Sequence, residues 1–184
     1  MDEQVLIVTA YEGDGQSFDQ LVSMHQGMAF NVAYRLLGHA DAAGDTLEEA
    51  LLKAHGALQA LRGAPFEVWL LRWVVDACRR RARVSRRGSP VPLGTRGQGG
   101  SSLGGPGETS LDPDLVQAIE AGIGSLPFES RVVLVLADVQ GLNYEEIAQV
   151  TGARPAVVGR RLAEARRRLR DWLYGSPKGT LGAE

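Results

Sequence analysis

Cysteine is almost missing from this chain: Cys78 is the single one in 184 residues. No internal disulfide can form, and a lone thiol on an apolar helix reads as an inert, partly buried group. Also lacking is any run of about eighteen apolar residues, so no membrane-spanning helix is expected. Met1-Asp2-Glu3 offers neither the basic start nor the apolar stretch of a secretion signal, and a cytoplasmic protein is the expectation. Histidines number three. His39 and His55 have no acidic or cysteine partner at metal spacing, and His25 falls on an apolar stripe, so no metal is expected. There is no nucleophile–base arrangement, no glycine loop suited to phosphate and no paired carboxylate site. No catalytic residue, no cofactor and no enzymatic activity is expected.

What is present is charge, unevenly placed. The net charge is only −2, yet six arginines and no acid lie between Arg79 and Arg87. Six more lie between Arg160 and Arg170, against Glu164 alone. Acids gather elsewhere, at Asp45-Glu48-Glu49 and Glu145-Glu146. Two basic clusters on a near-neutral chain suit two separate contacts with a phosphate backbone. The alternative is that each complements the dipole at a helix end.

Gly88 to Ser110 holds eight glycines, three prolines and four serines among 23 residues. It has almost nothing to bury and reads as a flexible tether. The chain is therefore expected to be all-α, with two small helical domains: residues 1–87, a linker at 88–111, a second domain at 112–174, and a disordered tail at 175–184.

In the first domain, a short helix is expected over Val5-Leu6-Ile7-Val8. Ser17-Phe18-Asp19-Gln20 reads as a capping box, followed by Phe18, Leu21, Val22, His25, Met28, Ala29, Val32, Ala33 and Leu36 at helical spacing until Gly38. Asp41 is the expected cap of the next helix, with the stripe Leu47, Leu51, Ala54, Leu58 and Leu61. Pro65 opens a further helix, with Phe66, Trp69, Leu70, Trp73, Val74 and Ala77 on one face. These stripes predict a bundle. In the second domain, Asp112-Pro113 leads into Leu115, Ile119 and Ile123. Val132, Val135, Leu136 and Val139 follow Leu126-Pro127. Asn143 caps a helix that stops at Thr151-Gly152, and Pro155 opens the last, with Val158, Leu162, Ala165, Leu169 and Trp172 as its buried stripe.

Two helices joined by a short turn at Gly152 make a helix-turn-helix pattern. Subtracting the buried stripe leaves Arg154, Val157, Arg160, Arg161, Glu164 and Arg168 facing outward, suited to the major groove. A plain helical hairpin with a solvated basic face has the same pattern.

The residues then resemble a known family. Leu126-Pro127-Phe128-Glu129-Ser130-Arg131, then Gly141-Leu142-Asn143-Tyr144-Glu145-Glu146-Ile147-Ala148, are similar to the fourth conserved region of extracytoplasmic-function (ECF) sigma factors. Phe18-Asp19-Gln20-Leu21, Ala33-Tyr34-Arg35-Leu36-Leu37-Gly38, Asp45 and Trp69-Leu70 resemble the second region. The resemblance implies a protein that binds core RNA polymerase, through the β′ clamp helices and the β flap, and directs promoter recognition. An anti-sigma factor is a further implied partner. Asp45, Leu47, Glu48 and Leu51 would meet polymerase. Arg72, Arg79 and Arg80 would meet the opened minus-ten strand, and the helix from Pro155 would read the minus-thirty-five duplex. The chain departs from the family pattern at Gly44, Glu48, Leu51, His55, Asp76, Arg80 and Gly159. Two other readings stay open: a degenerate sigma-like protein that binds polymerase or an anti-sigma factor without opening promoters, and a two-domain regulator using its helix-turn-helix alone.

Overall fold

The computed structural model describes residues 2–58, 61, 63–88 and 113–175, with the side chains of residues 85–88 left aside. The candidate tether and tail lie almost wholly outside the described residues, as do Asp112 and residues 59, 60 and 62. The described residues hold no strand.

The first helix, α1 (Glu3–Tyr11), is capped by Asp2, whose side chain accepts from the Gln4 amide. It buries Leu6, Ile7 and Ala10, so the expected short helix forms. The capping box read at Ser17 does not. Helix α2 (Gly15–Leu37) begins earlier, with Asp14 as its cap. The Asp14 carboxylate accepts from the amides of Gln16 and Ser17 at 3.3 and 3.1 Å and from the Ser17 hydroxyl at 2.5 Å. Ser17 is buried instead, its oxygen 2.7 Å from the Thr9 hydroxyl, which ties α1 to α2. The Ser17 hydroxyl is also the largest influence holding the Asp14 carboxyl below its ordinary range. At the other end, Gly38 takes φ 79° and stops α2 as expected.

Helix α3 (Ala40–Gly56) starts after His39, with no side-chain cap, and Asp41 sits in its first turn rather than capping it. Helix α4 (Phe66–Gly88) differs most from the sequence reading. The expected face is largely buried, with Phe66, Trp69, Leu70, Val74 and Ala77 in the core and Trp73 half-buried. Val68, Leu71 and Val75 are buried too. They lie at i, i+3 and i+7, so α4 has a second buried stripe. A helix apolar nearly all round must be covered on both sides. Cys78 is fully buried, and burial pushes its thiol up to about 12, so no thiolate forms near neutral pH.

The second domain contains α5 (Pro113–Ser125), α6 (Phe128–Leu134), α7 (Tyr144–Thr151) and α8 (Pro155–Gly175). Helix α6 runs on into a wider π turn over Val135–Val139, in which the Gln140 amide reaches the Val135 carbonyl. Helix α7 carries the expected capping box. Asn143 accepts from the Glu146 amide, the Glu146 side chain accepts from the Asn143 amide, and each bond is 2.9 Å. Gly152 ends α7 with φ 71°. Val158, Leu162 and Ala165 of α8 are buried as read, but Trp172 is 44% exposed and covers Gly122 of α5 rather than filling the core.

The two domains touch. Helix α4 packs against α6 and α7, and α2 against α5 and α6. Arg131 of α6 is 7% exposed and donates to the Leu36 carbonyl at the end of α2, at 2.7 Å. It also donates to the Gly124 and Leu126 carbonyls behind it. One guanidinium therefore meets carbonyls at two helix ends, where unpaired oxygens and the dipole favour a cation.

Candidate functional site

Three surfaces carry the candidate residues. The first is the outward face of α8. Its core stripe fixes its rotation, and the αL turn at Gly152 with Pro155 fixes its angle to α7. Arg154 and Arg160 are exposed and have no ion-pair partner among the described residues; Val157 and Arg161 are half-buried beside them. Arg161 reaches the Glu129 carboxylate of α6 at 3.7 Å. Glu164 and Arg168 answer each other at 2.7 Å. Arg166 is held by Asp138 in a two-pronged pair. Gly159 has the Tyr144 ring over it, 3.4 Å from where a Cβ would stand, so a small residue lets α7 and α8 close.

The second surface is the exposed side of α3. Asp41, Asp45, Glu48, Glu49 and Leu52 point outward, at a spacing that puts them on one face. Of the four residues expected to meet polymerase, Asp45 and Glu48 are exposed. Leu47 is only 9% exposed and belongs to the core, and Leu51 is half-buried against it. The expectation for Leu47 is therefore corrected: the core stripe that it shares with Ala43, Ala50 and Ala54 claims its side chain. Leu52, which the sequence reading missed, is 77% exposed in the middle of the acids. The sequence reading put Leu51 both on the buried stripe and against polymerase; the same spacing leaves Leu52 on the outer face.

The third surface is α4. Arg72 is exposed, but Arg79 and Arg80 are engaged. Arg80 pairs with Glu49 of α3 at 3.0 Å and Asp76 at 3.4 Å, and Arg81 pairs with Asp45 at 3.0 Å. Asp76 is thus neutralised by Arg79 at 3.1 Å as well as by Arg80. Arg79 makes two bonds across the domain boundary to Glu129, at 2.7 and 3.1 Å, and that carboxylate is the largest influence raising its pKa further.

The family comparison agrees with this layout. Residues 21–88 match the Sigma-70 region 2 model, and residues 116–169 match the Sigma-70, region 4 model. The chain belongs to the ECF sigma factors. It is 32% identical to the ECF RNA polymerase sigma factor SigE of Mycolicibacterium smegmatis over 166 residues, which is 85% of this chain and 62% of that relative. It is 29% identical to the ECF RNA polymerase sigma-E factor of Escherichia coli K12, over 90% of this chain and 91% of that one. Among solved structures, CnrH in complex with the cytosolic domain of CnrY aligns at TM-score 0.67, with 24% identity over 95% of this sigma factor and 98% of that chain. The sigma factor RpoE in complex with the anti-sigma factor NepR from Bartonella quintana aligns at TM-score 0.68, with 22% identity over 86% and 97%. These two likenesses establish the fold of both domains. No described helix of this sigma factor is long and apolar enough to cross a membrane.

Proposed function

We propose that this protein is an initiation factor that joins core RNA polymerase, directs it to promoters and performs no catalysis itself, acting in the cytoplasm. The observation that carries the reading is the outward face of α8, where Arg154, Arg160 and Val157 stand clear of the core on the second helix of a helix-turn-helix. Arginines there suit phosphates and guanine edges, and Val157 suits a thymine methyl. This face takes the minus-thirty-five duplex, with Arg161, Glu164 and Arg168 at its edge. Helix α4, with Arg72, Arg79 and Arg80, takes the opened minus-ten strand. On α3, Asp45 and Glu48 surround Leu52, an apolar contact with a charged rim that suits docking on the β′ clamp helices. The second domain meets the β flap. Domain limits at 87 and 112 leave a tether that converts two weak DNA contacts into one strong one. An anti-sigma factor is the expected restraint, in keeping with the complexes named above.

The test is initiation from the native promoter by core polymerase plus this protein, with wild type active. Arg160→Ala weakens duplex binding and lowers the salt slope by about one unit for each lost phosphate contact. An unchanged slope would remove α8 from the DNA interface. Glu48→Lys slows association with polymerase, and Leu52→Ala weakens the complex roughly tenfold. Unchanged affinity in both would move the docking surface away from α3.

A further inference from the structure

Six arginines crowd α8, and its geometry gives them different tasks. Val158, Leu162 and Ala165 fix its buried side. At about 100° per residue, Arg161 and Arg166 fall roughly 70° to either side of that stripe, on opposite flanks. Each is tied to a carboxylate of the segment packed beneath. Arg161 reaches Glu129 of α6 at 3.7 Å. Arg166 meets both oxygens of Asp138 in the π turn, its Nε at 3.1 Å. The turn itself puts that carboxylate there. Continuing the α6 stripe of Val132, Val135 and Leu136 would bury Val139, but the wider turn leaves Val139 43% exposed and Asp138 facing α8. Two struts, one on each flank, oppose a roll of α8 in either direction.

Opposite the stripe, roughly 170° from it, stand Arg160 and Arg167. Both are exposed, and neither has an ion-pair partner among the described residues. Their spacing is nearly two turns, so they stand in line about 10 Å apart along the axis. Ala156 and Ala163, also exposed, alternate with them on the same ridge. Small residues there let the helix backbone approach a surface closely while the arginines reach into it. One turn beyond Arg167 the ridge becomes acidic at Asp171, which marks its end. On the flank, Glu164 and Arg168 neutralise each other at 2.7 Å.

We infer that Arg167 is a further DNA contact, and that Asp138 is a positioning residue acting through Arg166, which itself does not touch DNA. The inference rests on the proposed place of α8 in the major groove. A groove about 12 Å wide admits the first turns of such a helix among the base edges. With Arg160 inside the groove, a residue about 10 Å further along the axis stands at its rim, where the phosphates are. Arg167 therefore meets the backbone, a contact that fixes register without reading sequence. A roll of α8 would carry Arg160 off its contacts, and the Asp138–Arg166 pair opposes that roll. The pair is half-exposed and adds little stability. It acts on orientation, because two parallel bonds to one carboxylate fix direction as well as distance.

The test uses the full-length protein, a duplex selected by wild type from a random-sequence pool, and a scrambled duplex of the same composition. Arg167→Ala should lower the salt slope by about one unit on both duplexes, as a phosphate contact does. Arg170→Ala removes the same charge from the flank of α8 and should leave the slope unchanged. Asp138→Asn and Arg166→Ala should keep the slope but cut the preference for the selected duplex about fivefold, the lower cost of one lost base contact. Charge alone predicts the reverse for Asp138→Asn, since losing an acid favours DNA. Asp138→Arg combined with Arg166→Asp rebuilds the pair in reverse and should restore the preference; helicity measured on each variant confirms that it is folded. The contact is overturned if Arg167→Ala leaves the slope unchanged, or if Arg170→Ala lowers it equally. The positioning role is overturned if Arg166→Ala lowers the slope, or if Asp138→Asn keeps the full preference. A slope unchanged by Arg160→Ala would remove α8 itself from DNA. A slope lowered by Arg160→Ala but not by Arg167→Ala leaves the proposed function standing and ends the inference.

Discussion

Asp14 shows how much one carboxylate does at a helix start. Its oxygens take two orphan amides of α2 and the Ser17 hydroxyl, which in turn meets Thr9 of α1. The carboxyl is held below its ordinary range, first by the Ser17 hydroxyl and then by the Gln16 and Ser17 amides, with burial opposing them. A depressed folded pKa adds stability above the unfolded value and loses it as pH falls through the folded one. Asp14→Ala should therefore melt below wild type at pH 7, and the gap should narrow as acid protonates the wild-type carboxylate. Asp14→Asn keeps a good cap but not the titration, so it should lie between them at pH 7. Equal melting of wild type and Asp14→Ala at pH 7 would mean that the amides are served by water. The sequence reading placed the cap at the Ser17–Gln20 pair and passed over Asp14. Local pattern could not show otherwise, because the Thr9 hydroxyl that draws Ser17 inward lies on another helix.

At the scale of elements, two glycines have opposite roles. Gly122 of α5 has Leu169 Cδ1 and Trp172 Cδ1 at 2.6 and 2.7 Å from where a Cβ would stand, so any side chain displaces α8 or its tryptophan. Gly159 has only the Tyr144 ring, at an ordinary 3.4 Å. Gly159→Ala should therefore raise stability by up to about 1 kcal/mol, the helix-propensity difference. Gly122→Ala should lower it by on the order of 1 kcal/mol, since overpacking exceeds the same propensity gain. Urea unfolding of both variants measures this, and equal signs would contradict the packing. From the sequence, Gly159 read only as a departure from the family pattern; its closeness to Tyr144 depends on the angle between two helices. Caps and stops were more legible where partners are local, as at Asn143–Glu146, Gly38 and Gly152. Helix α4 was half legible: one face followed from spacing, while the buried Val68, Leu71 and Val75 share a stripe with Arg79, whose partner Glu129 belongs to the second domain.

For the whole molecule, the order of two helical domains with a helix-turn-helix second was plain in the sequence, because periodicity and turn chemistry are local. How the domains meet was not, since Glu129 and Arg131 belong to a motif that reads naturally within its own domain. Arg131 is the clearest case. Two of its three described bonds hold the α5–α6 corner, at Gly124 and Leu126, and the third crosses to Leu36. A lysine cannot imitate it, because a planar fork meets several carbonyls at once and an ammonium cannot span them. Arg131→Ala leaves these carbonyls without their donor in a buried place, a loss on the order of 3 kcal/mol, mostly within the second domain. For a domain of this size each kcal/mol moves the midpoint by roughly 4–8 °C. Calorimetry should then show wild type unfolding in one coupled transition. Arg131→Ala should separate it into two, with the second domain melting well over 10 °C lower by that scaling. A single transition moved by only a degree or two would mean that water replaces the guanidinium at all three carbonyls, and that the Leu36 bond does not join the domains.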